Sequence, residues 1–251
     1  MIKFKTAQEV GIMQTGGKML AETLWEVMKH LRPGVSEVEI DKLAEELILK
    51  KGGEPGFKKV EGYKHAICVS TNDVVVHGIP TNYKFKEGDV VGIDCGVFYR
   101  GFHTDMSETK IVGKSSNKSV KKFLEVGEKA LNAGIKQAVL GNHVGHISKA
   151  IQDIVEGEGG YSVVRSLVGH GVGRDLHEEP EIPGYIHGKI EKSPLLREGM
   201  VIAVEVIYNM GGADLSLDDD GWTLRTRDGS LAGLFERTIA ITKNGPLGLT
   251  E

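Results

Sequence analysis

Four carboxylates (Asp94, Asp105, Glu205 and Glu236) and one imidazole (His170) lie inside stretches that otherwise read as apolar β-strand. Asp94 follows Val-Val-Gly-Ile, Glu205 interrupts a run from Met200 to Ile207, and Glu236 interrupts one from Gly233 to Ile241. An isolated carboxylate moved into such an interior costs several kcal/mol, so it either takes up a proton or finds a cation. Arg237 adjoins Glu236, but successive side chains on a strand point to opposite faces, which makes it a poor partner. For either glutamate alone, a structural ion pair is an equally good reading. Taken together, four acids and a histidine point to a pair of bound divalent cations, which would make water a nucleophile near neutral pH.

The elements around these residues must bring them together. Asp94 and Asp105 flank a predicted hairpin whose turn falls near Tyr99, Arg100 and Gly101. With Gly101 in the left-handed position of a three-residue loop, Asp94 is expected almost opposite Asp105. Opposed residues have Cβ atoms about 4.5–5.5 Å apart, so two carboxylates there repel unless cations bridge them. The bland alternative is one aspartate in an Asx-turn and the other in a surface ion pair.

His170 lies in a glycine-rich run from Gly169 to Gly173, followed by His177. The third glycine comes one position early for a dinucleotide loop, and no second histidine follows His177 and Glu178 at the spacing of a zinc helix. The glycines instead let backbone approach the site closely while His170 is aimed inward. His177 beside a metal cluster is a candidate for stabilising developing negative charge. His77 ends an apolar strand at a turn. His103 shares a strand face with Asp105, and His30, His65, His143, His146 and His187 read as surface or loop positions.

Thr6 with Glu9 and Ser36 with Glu39 are capping boxes, and each opens a helix with an apolar stripe. The first is expected to stop at Pro33 and Gly34, the second at Gly52 and Gly53. Strand signals follow at His65–Ser70, Val74–His77, Asp89–Phe98 and Phe102–Val112. Helices are expected from about Ser119 to Leu140 and from about Gly145 to Val155. Strands return at Tyr161–Val168, Met200–Tyr208, Trp222–Arg227 and Leu234–Thr242. The order helix, helix, strands thus occurs twice. The expected fold is α+β: one domain over 1–251, a central antiparallel sheet with four helices packed outside, and two pseudo-symmetric halves near 1–113 and 114–251. A ligand would sit in the cleft between them.

Composition narrows the function. A net charge of −4 without a long basic run argues against nucleic acid as the main ligand. Cys68 and Cys95 are too few for a disulfide framework and read as buried thiols of a reducing compartment. MIKFKTAQEVG has no apolar signal core, and no run approaches the ~20 apolar residues of a membrane span. These readings favour a cytoplasmic enzyme. The 34 glycines read as many tight turns.

Read together, the blocks resemble the type I methionine aminopeptidases of the pita-bread, M24-like metallopeptidase superfamily. The resemblance is carried by the run from Cys68 to Pro80 with its His-Gly-Ile-Pro end, by Gly-Ile-Asp94-Cys-Gly with Asp105 eleven residues on, by Gly169 to Pro180, by the run ending at Glu205, and by Phe-Glu236-Arg-Thr. It spans essentially the whole chain, and its lack of an N-terminal zinc-binding extension is similar to the shorter bacterial form. The resemblance implies that one metal is held by Asp105, His170, Glu205 and Glu236, and a second by Asp94 with Asp105 and Glu236 bridging. Mn²⁺, Fe²⁺, Co²⁺ and Zn²⁺ all suit such ligands. It further implies that the substrate's α-amine binds on the Asp94 side, that Glu205 shuttles the proton, that His177 binds the oxyanion, and that His77 contacts the scissile amide nitrogen. Tyr63, Cys68 and Trp222 match the family's methionine pocket.

The implied partners are the N-terminal methionine of newly made polypeptides and, as a candidate docking partner, the ribosome. A monomer is expected, with no membrane role. Three residues depart from the family pattern beside the site: Val206 for proline, Arg237 for histidine and Leu176 for an aromatic residue. The rival reading within the fold is an Xaa-Pro aminopeptidase or prolidase, which usually carries a further N-terminal domain. The rival from another class is a non-catalytic peptide-binding module, whose members typically lose ligands that are all present here.

Overall fold

Both predicted caps form. Thr6 accepts from the Glu9 amide while Glu9 accepts from the Thr6 amide, opening α1 (Ala7–His30). Ser36 and Glu39 do the same for α2 (Glu37–Lys50). The computed structural model describes residues 1–251. After α2 come β1 (Glu54–Pro55), β2 (Ile67–Thr71), β3 (Val74–Val76), β4 (Val90–Tyr99) and β5 (Phe102–Ile111). Then follow α3 (Lys118–Gln137) and α4 (Val144–Gln152), which runs into a π-helical turn, Asp153–Glu158. The remainder is β: β6 (Ser162–Val163), β7 (Gly169–Gly171), β8 (Glu178–Ile182), β9 (Val201–Asn209), β10 (Leu215–Leu217), β11 (Leu224–Thr226), β12 (Ala232–Thr242) and β13 (Gly245–Gly248).

Ten strands form one antiparallel sheet with the order β1-β4-β5-β12-β9-β7-β8; β2 pairs with β4, β6 with β9 and β13 with β12. A separate three-stranded sheet runs β10-β11-β3. The α+β expectation of a central antiparallel sheet holds. The strand expected over Tyr161–Val168 shrinks to the two residues of β6. The short strands β1, β8, β10 and β13 carried no period-2 signal long enough to read.

The hairpin differs from expectation in one consequential way. Tyr99 pairs with Phe102, so the loop has only two residues, and both are left-handed: Arg100 at φ 49° and Gly101 at φ 90°. That is the tight turn whose twist matches the flanking strands. The register therefore pairs Asp94 with Ser107 and Gly96 with Asp105. The two aspartates sit diagonally on one face rather than opposite each other.

Strict alternation divides the sheet into two functional faces. Ile93, Cys95, Val97 and Met106 pack outward into a core with α1 and α2, around Leu20, Leu24, Ile40 and Ile48. Ile202, Val204, Val206, Tyr208, Phe235, Ile239 and Ile241 pack outward against α3 and α4. The residues between them, including Asp94, Asp105, Glu205 and Glu236, point to the other face. Sliding any of these strands by one residue would expose its core set and bury the acids among the helices.

Gly127 of α3 shows how closely the helices press on the strands of the site. A Cβ there would lie 2.4 Å from both Phe235 Cε2 and Tyr208 Oη. Alanine is the better helix former by about 1 kcal/mol, so glycine is present for space. Gly127→Ala is expected to destabilise the fold by about 1–3 kcal/mol through overpacking. Urea unfolding followed by circular dichroism checks this, and an unchanged or raised midpoint would contradict the close approach.

Candidate metal centre and substrate cleft

The register sets the site out in two rows across the sheet. The first runs Cys68 (β2), Asp94 (β4), Ser107 (β5), Glu236 (β12) and Glu205 (β9), each paired with the next. The second runs Gly96 (β4), Asp105 (β5), Thr238 (β12), Ala203 (β9) and His170 (β7). Small side chains are interspersed among the acids and His170, which leaves room for the carboxylates to lean together. Thr238 occupies the place where β5 and β12 stop pairing directly. Its hydroxyl accepts the Asp105 N–H at 2.9 Å and donates to the Asp105 carbonyl at 2.7 Å, holding that segment of β5 in place. Ser107 and Thr238 were not singled out from the sequence, because nothing in a serine or threonine on a strand distinguishes this role.

Ligand atoms of Asp105, His170 and Glu236 all lie within 4.8 Å of one another. His170 Nε2 is 3.9 Å from Asp105 Oδ2 and 3.9 Å from Glu236 Oε1. The other ring nitrogen, Nδ1, lies 2.9 Å from the Gly171 carbonyl oxygen, which fixes the proton there and leaves the Nε2 lone pair facing the carboxylates. His170 comes from β7, a strand not expected in the glycine-rich run. Gly169 and Gly171 are instead strand residues with no space for a Cβ: one at Gly169 would fall 2.5 Å from the Ala203 carbonyl, one at Gly171 2.3 Å from the Glu179 carbonyl.

Hydrogen-bond donors are nearly missing from the cluster. The Met106 N–H reaches Asp105 Oδ1 at 3.1 Å, and the Cys95 amide touches Asp94. Asp94 Oδ1 is buried with no partner. No lysine or arginine pairs with any of the four acids: Arg237 points to the helix side and pairs with Glu108 at 2.6 Å. Burial accordingly pushes Asp94 up to about 7 and drives Asp105, Glu205 and Glu236 well above the usual carboxylate range. In those three, the charges of neighbouring acids push the same way. Burial also pulls His170 down to about 3, so it is neutral. A cluster of proton-hungry acids beside a neutral, correctly oriented imidazole has the donor chemistry of a divalent-metal site.

A cavity of about 290 Å³ opens onto this cluster and is lined by both Asp94 and Glu205 as well as the three grouped ligands. Tyr63, Cys68 and Trp222 all line it. The Tyr63 and Trp222 rings meet edge to face at 5.1 Å, and Tyr63 donates its hydroxyl to the Ile67 carbonyl at 2.8 Å. His65, which reads as a surface residue, backs this wall: its ring meets Tyr63 at 5.9 Å and its Nδ1 lies 2.8 Å from the Asp41 carboxylate. His77 and His177 face the same cavity. His77 holds a left-handed backbone, φ 57°, unusual outside glycine and characteristic of functional sites. Burial lowers both histidines, so each is a neutral ring with one N–H to donate. The His177 ring lies 4.4 Å from that of His170. His103 is not at the cluster; its ring stacks on Phe98 at 4.8 Å.

The three departures from the family pattern separate by face. Val206 is buried among the α3 and α4 core and Arg237 faces the helices, so neither enters the cavity. Leu176 does, packing with Phe57, Tyr63 and Cys68.

Known proteins share this fold over the whole chain. The chain is 46% identical to methionine aminopeptidase 1 of Bacillus subtilis over 98% of its own length and 97% of the relative. It superposes on the crystal structure of methionine aminopeptidase from Thermotoga maritima with a TM-score of 0.96, at 42% identity and complete coverage of both chains. The prolidase from Pyrococcus furiosus shares the fold alone: TM-score 0.78, 23% identity, with 99% of this chain covering 65% of that one. The profile of metallopeptidase family M24 matches residues 11–243, and the chain belongs to that family.

Proposed function

We propose that this protein is a metal-dependent aminopeptidase that removes methionine from polypeptide N-termini. One observation carries the reading: four acids and a neutral histidine, with no cation of the protein's own, form the floor of a cavity walled by Tyr63, Cys68 and Trp222. Full-length similarity to methionine aminopeptidases supports the substrate. The prolidase reading has only the shared fold in its favour.

Two divalent ions, of Mn²⁺, Fe²⁺, Co²⁺ or Zn²⁺, are proposed as cofactors. Asp105, His170, Glu205 and Glu236 would hold one, and Asp94, Asp105 and Glu236 the other. Bound there, they would supply Lewis acidity, making water a nucleophile and polarising the scissile carbonyl. Glu205 accepts the attacking water's proton on its carboxylate and returns it to the leaving amine. His177 donates its N–H to the oxygen that becomes negative, and the N–H need not be lost because the ring is neutral beforehand. His77 contacts the amide nitrogen of the bond that breaks. The α-amine of the substrate lies on the Asp94 side, and the methionine side chain lies against Tyr63, Cys68 and Trp222.

No helix is long and apolar enough to cross a membrane. A monomeric, cytoplasmic enzyme acting on newly made chains, with the ribosome as a docking partner, completes the proposal. The two helix-packed cores are read as pseudo-symmetric halves of a single catalytic domain.

Three measurements test it. With Mn²⁺ or Co²⁺ added, the protein should cleave Met-Gly-type peptides and leave Xaa-Pro peptides intact; turnover of the proline peptides alone would transfer the assignment to the prolidases. Asp105→Asn should weaken both cation sites, so two ions per chain retained after dialysis would refute its role in both. Finally, the acids' raised values mean the metal-free folded state holds more protons than the unfolded chain. From the ordinary aspartate value of 3.8 up through Asp94's shifted value of about 7, stability contributed by these groups therefore falls as pH rises. Cation binding must then expel protons. Calorimetry at pH 6 in buffers of different ionisation enthalpy should show net proton release and an affinity that weakens as pH falls; buffer-independent heats would count against the ligand map.

A further inference from the structure

His177 occupies the last position of the loop joining β7 to β8, and Glu178 directly after it begins β8. The Glu178 carboxylate does not face solvent. Its side chain is 2% exposed and turns back into the loop, where Oε1 accepts the Arg174 N–H at 2.9 Å and the Asp175 N–H at 3.3 Å. Its other oxygen, Oε2, accepts from Lys5 Nζ at 2.7 Å. The Lys5 side chain is 4% exposed. The nearby Lys3 ammonium lies 3.5 Å from Oε1 and is half exposed, a weaker and screened contact. The Lys5–Glu178 pair is therefore the buried anchor of the loop.

A slot is built for this lysine. A Cβ on Gly173 would fall 2.5 Å from Lys5 Cε and 2.8 Å from its Nζ. A Cβ on Gly199 would fall 2.7 Å from the Lys5 carbonyl oxygen. Lys5 N–H donates to the Gly199 carbonyl at 2.7 Å, fixing the backbone from which the side chain reaches. The last glycine of the His170 motif is thus explained by the segment before α1, which the metal cluster does not touch. The loop's main-chain ties to other strands, from Val172 N–H to the Val201 carbonyl at 3.0 Å and from His103 N–H to the Gly173 carbonyl at 2.7 Å, hold its near end only. The Gly173 N–H donates within the loop to the Asp175 carbonyl at 3.1 Å.

We propose that Lys5, acting through Glu178, is a positioning residue for His177. The inference rests on the oxyanion role given to His177 above. The segment ahead of α1 pins the carboxylate, the carboxylate pins the amides of Arg174 and Asp175, and His177 is held at the cavity by the taut loop between those amides and β8. Lys5 touches neither substrate nor metal ligands.

The test is a cycle of four proteins, each loaded with Mn²⁺ and checked for metal content: wild type, Lys5→Met, His177→Ala and the double variant. Displacing a catalytic group by about 1 Å can cost up to about 100-fold in rate. Lys5→Met in the wild-type background should lower kcat on a Met-Gly peptide about tenfold or more, with KM and metal content little changed. In the His177→Ala background the same substitution should cost nothing further. Equal losses in both backgrounds, or no loss in either, would overturn the inference. Full turnover by His177→Ala alone would sink the oxyanion role itself, and with it the proposal, without reference to any Lys5 variant. If the carboxylate stranded by Lys5→Met prevents folding, Lys5→Met combined with Glu178→Gln removes both charges and is read by the same cycle.

Discussion

A pair of buried carboxyl groups set directly opposite each other, Glu236 against Glu205, is the constraint around which this structure is organised. When ionised, such a pair destabilises an isolated antiparallel ladder, and here Asp94 and Asp105 crowd in beside it. The register that imposes the clash is the same register that buries Val204, Val206, Phe235 and Ile239 against α3. Neither strand can shift to relieve its acids without losing that core. Packing on one face therefore holds these acids together on the other, where protons neutralise them in the metal-free state and a cation would have to displace those protons.

The sheet also acts as a partition. Arg237 follows Glu236 in the chain and would neutralise it if both pointed the same way. Alternation sends the guanidinium to the helix side, where Glu108 and the carbonyls of Ser107 and Glu236 hold it. Glu108 in turn follows Ser107 by the same rule. One buried ion pair and one uncompensated acid cluster thus lie back to back across β5 and β12. The partition explains why two of the three departures from the family pattern leave the cavity untouched: at Val206 and Arg237 the side chain belongs to the other face.

Much of this was legible in the sequence, and the failures have definite causes. The caps at Thr6 and Ser36 were readable because their chemistry is local. The five proposed ligands could be picked out because charge inside an apolar strand has few explanations, and all five line one cavity. The diagonal placement of Asp94 and Asp105 was not, since it depends on whether Arg100 joins Gly101 in the left-handed region, and arginine gives no such signal. β7 was hidden because a three-residue strand with glycine at both ends carries no strand signal, although the close backbone approach that those glycines permit was readable. His65 and Lys5 were invisible for a further reason. Each acts through a partner far away in sequence, Asp41 and Glu178 respectively, and no periodicity links the two.

On the proposed reading, the row that carries the acids also carries the specificity. Cys68 stands next to Asp94 across β2 and β4, so the first apolar side chain of the cavity wall is one strand away from the first carboxylate. Tyr63 buries its ring against Phe57 and Trp222 on the same side, and burial of Cys68 holds its thiol protonated, well above its ordinary value. A neutral thiol and two aromatic rings suit an unbranched thioether, whose polarisable sulfur packs favourably against ring edges. On the proposed reading, a charged α-amine and an apolar side chain must be accommodated about one strand spacing apart. Only the first residue of a chain carries a free α-amine and a side chain on the same Cα. Cleavage after the first residue would then follow from an amine site set beside the side-chain pocket, without any separate device for measuring chain length.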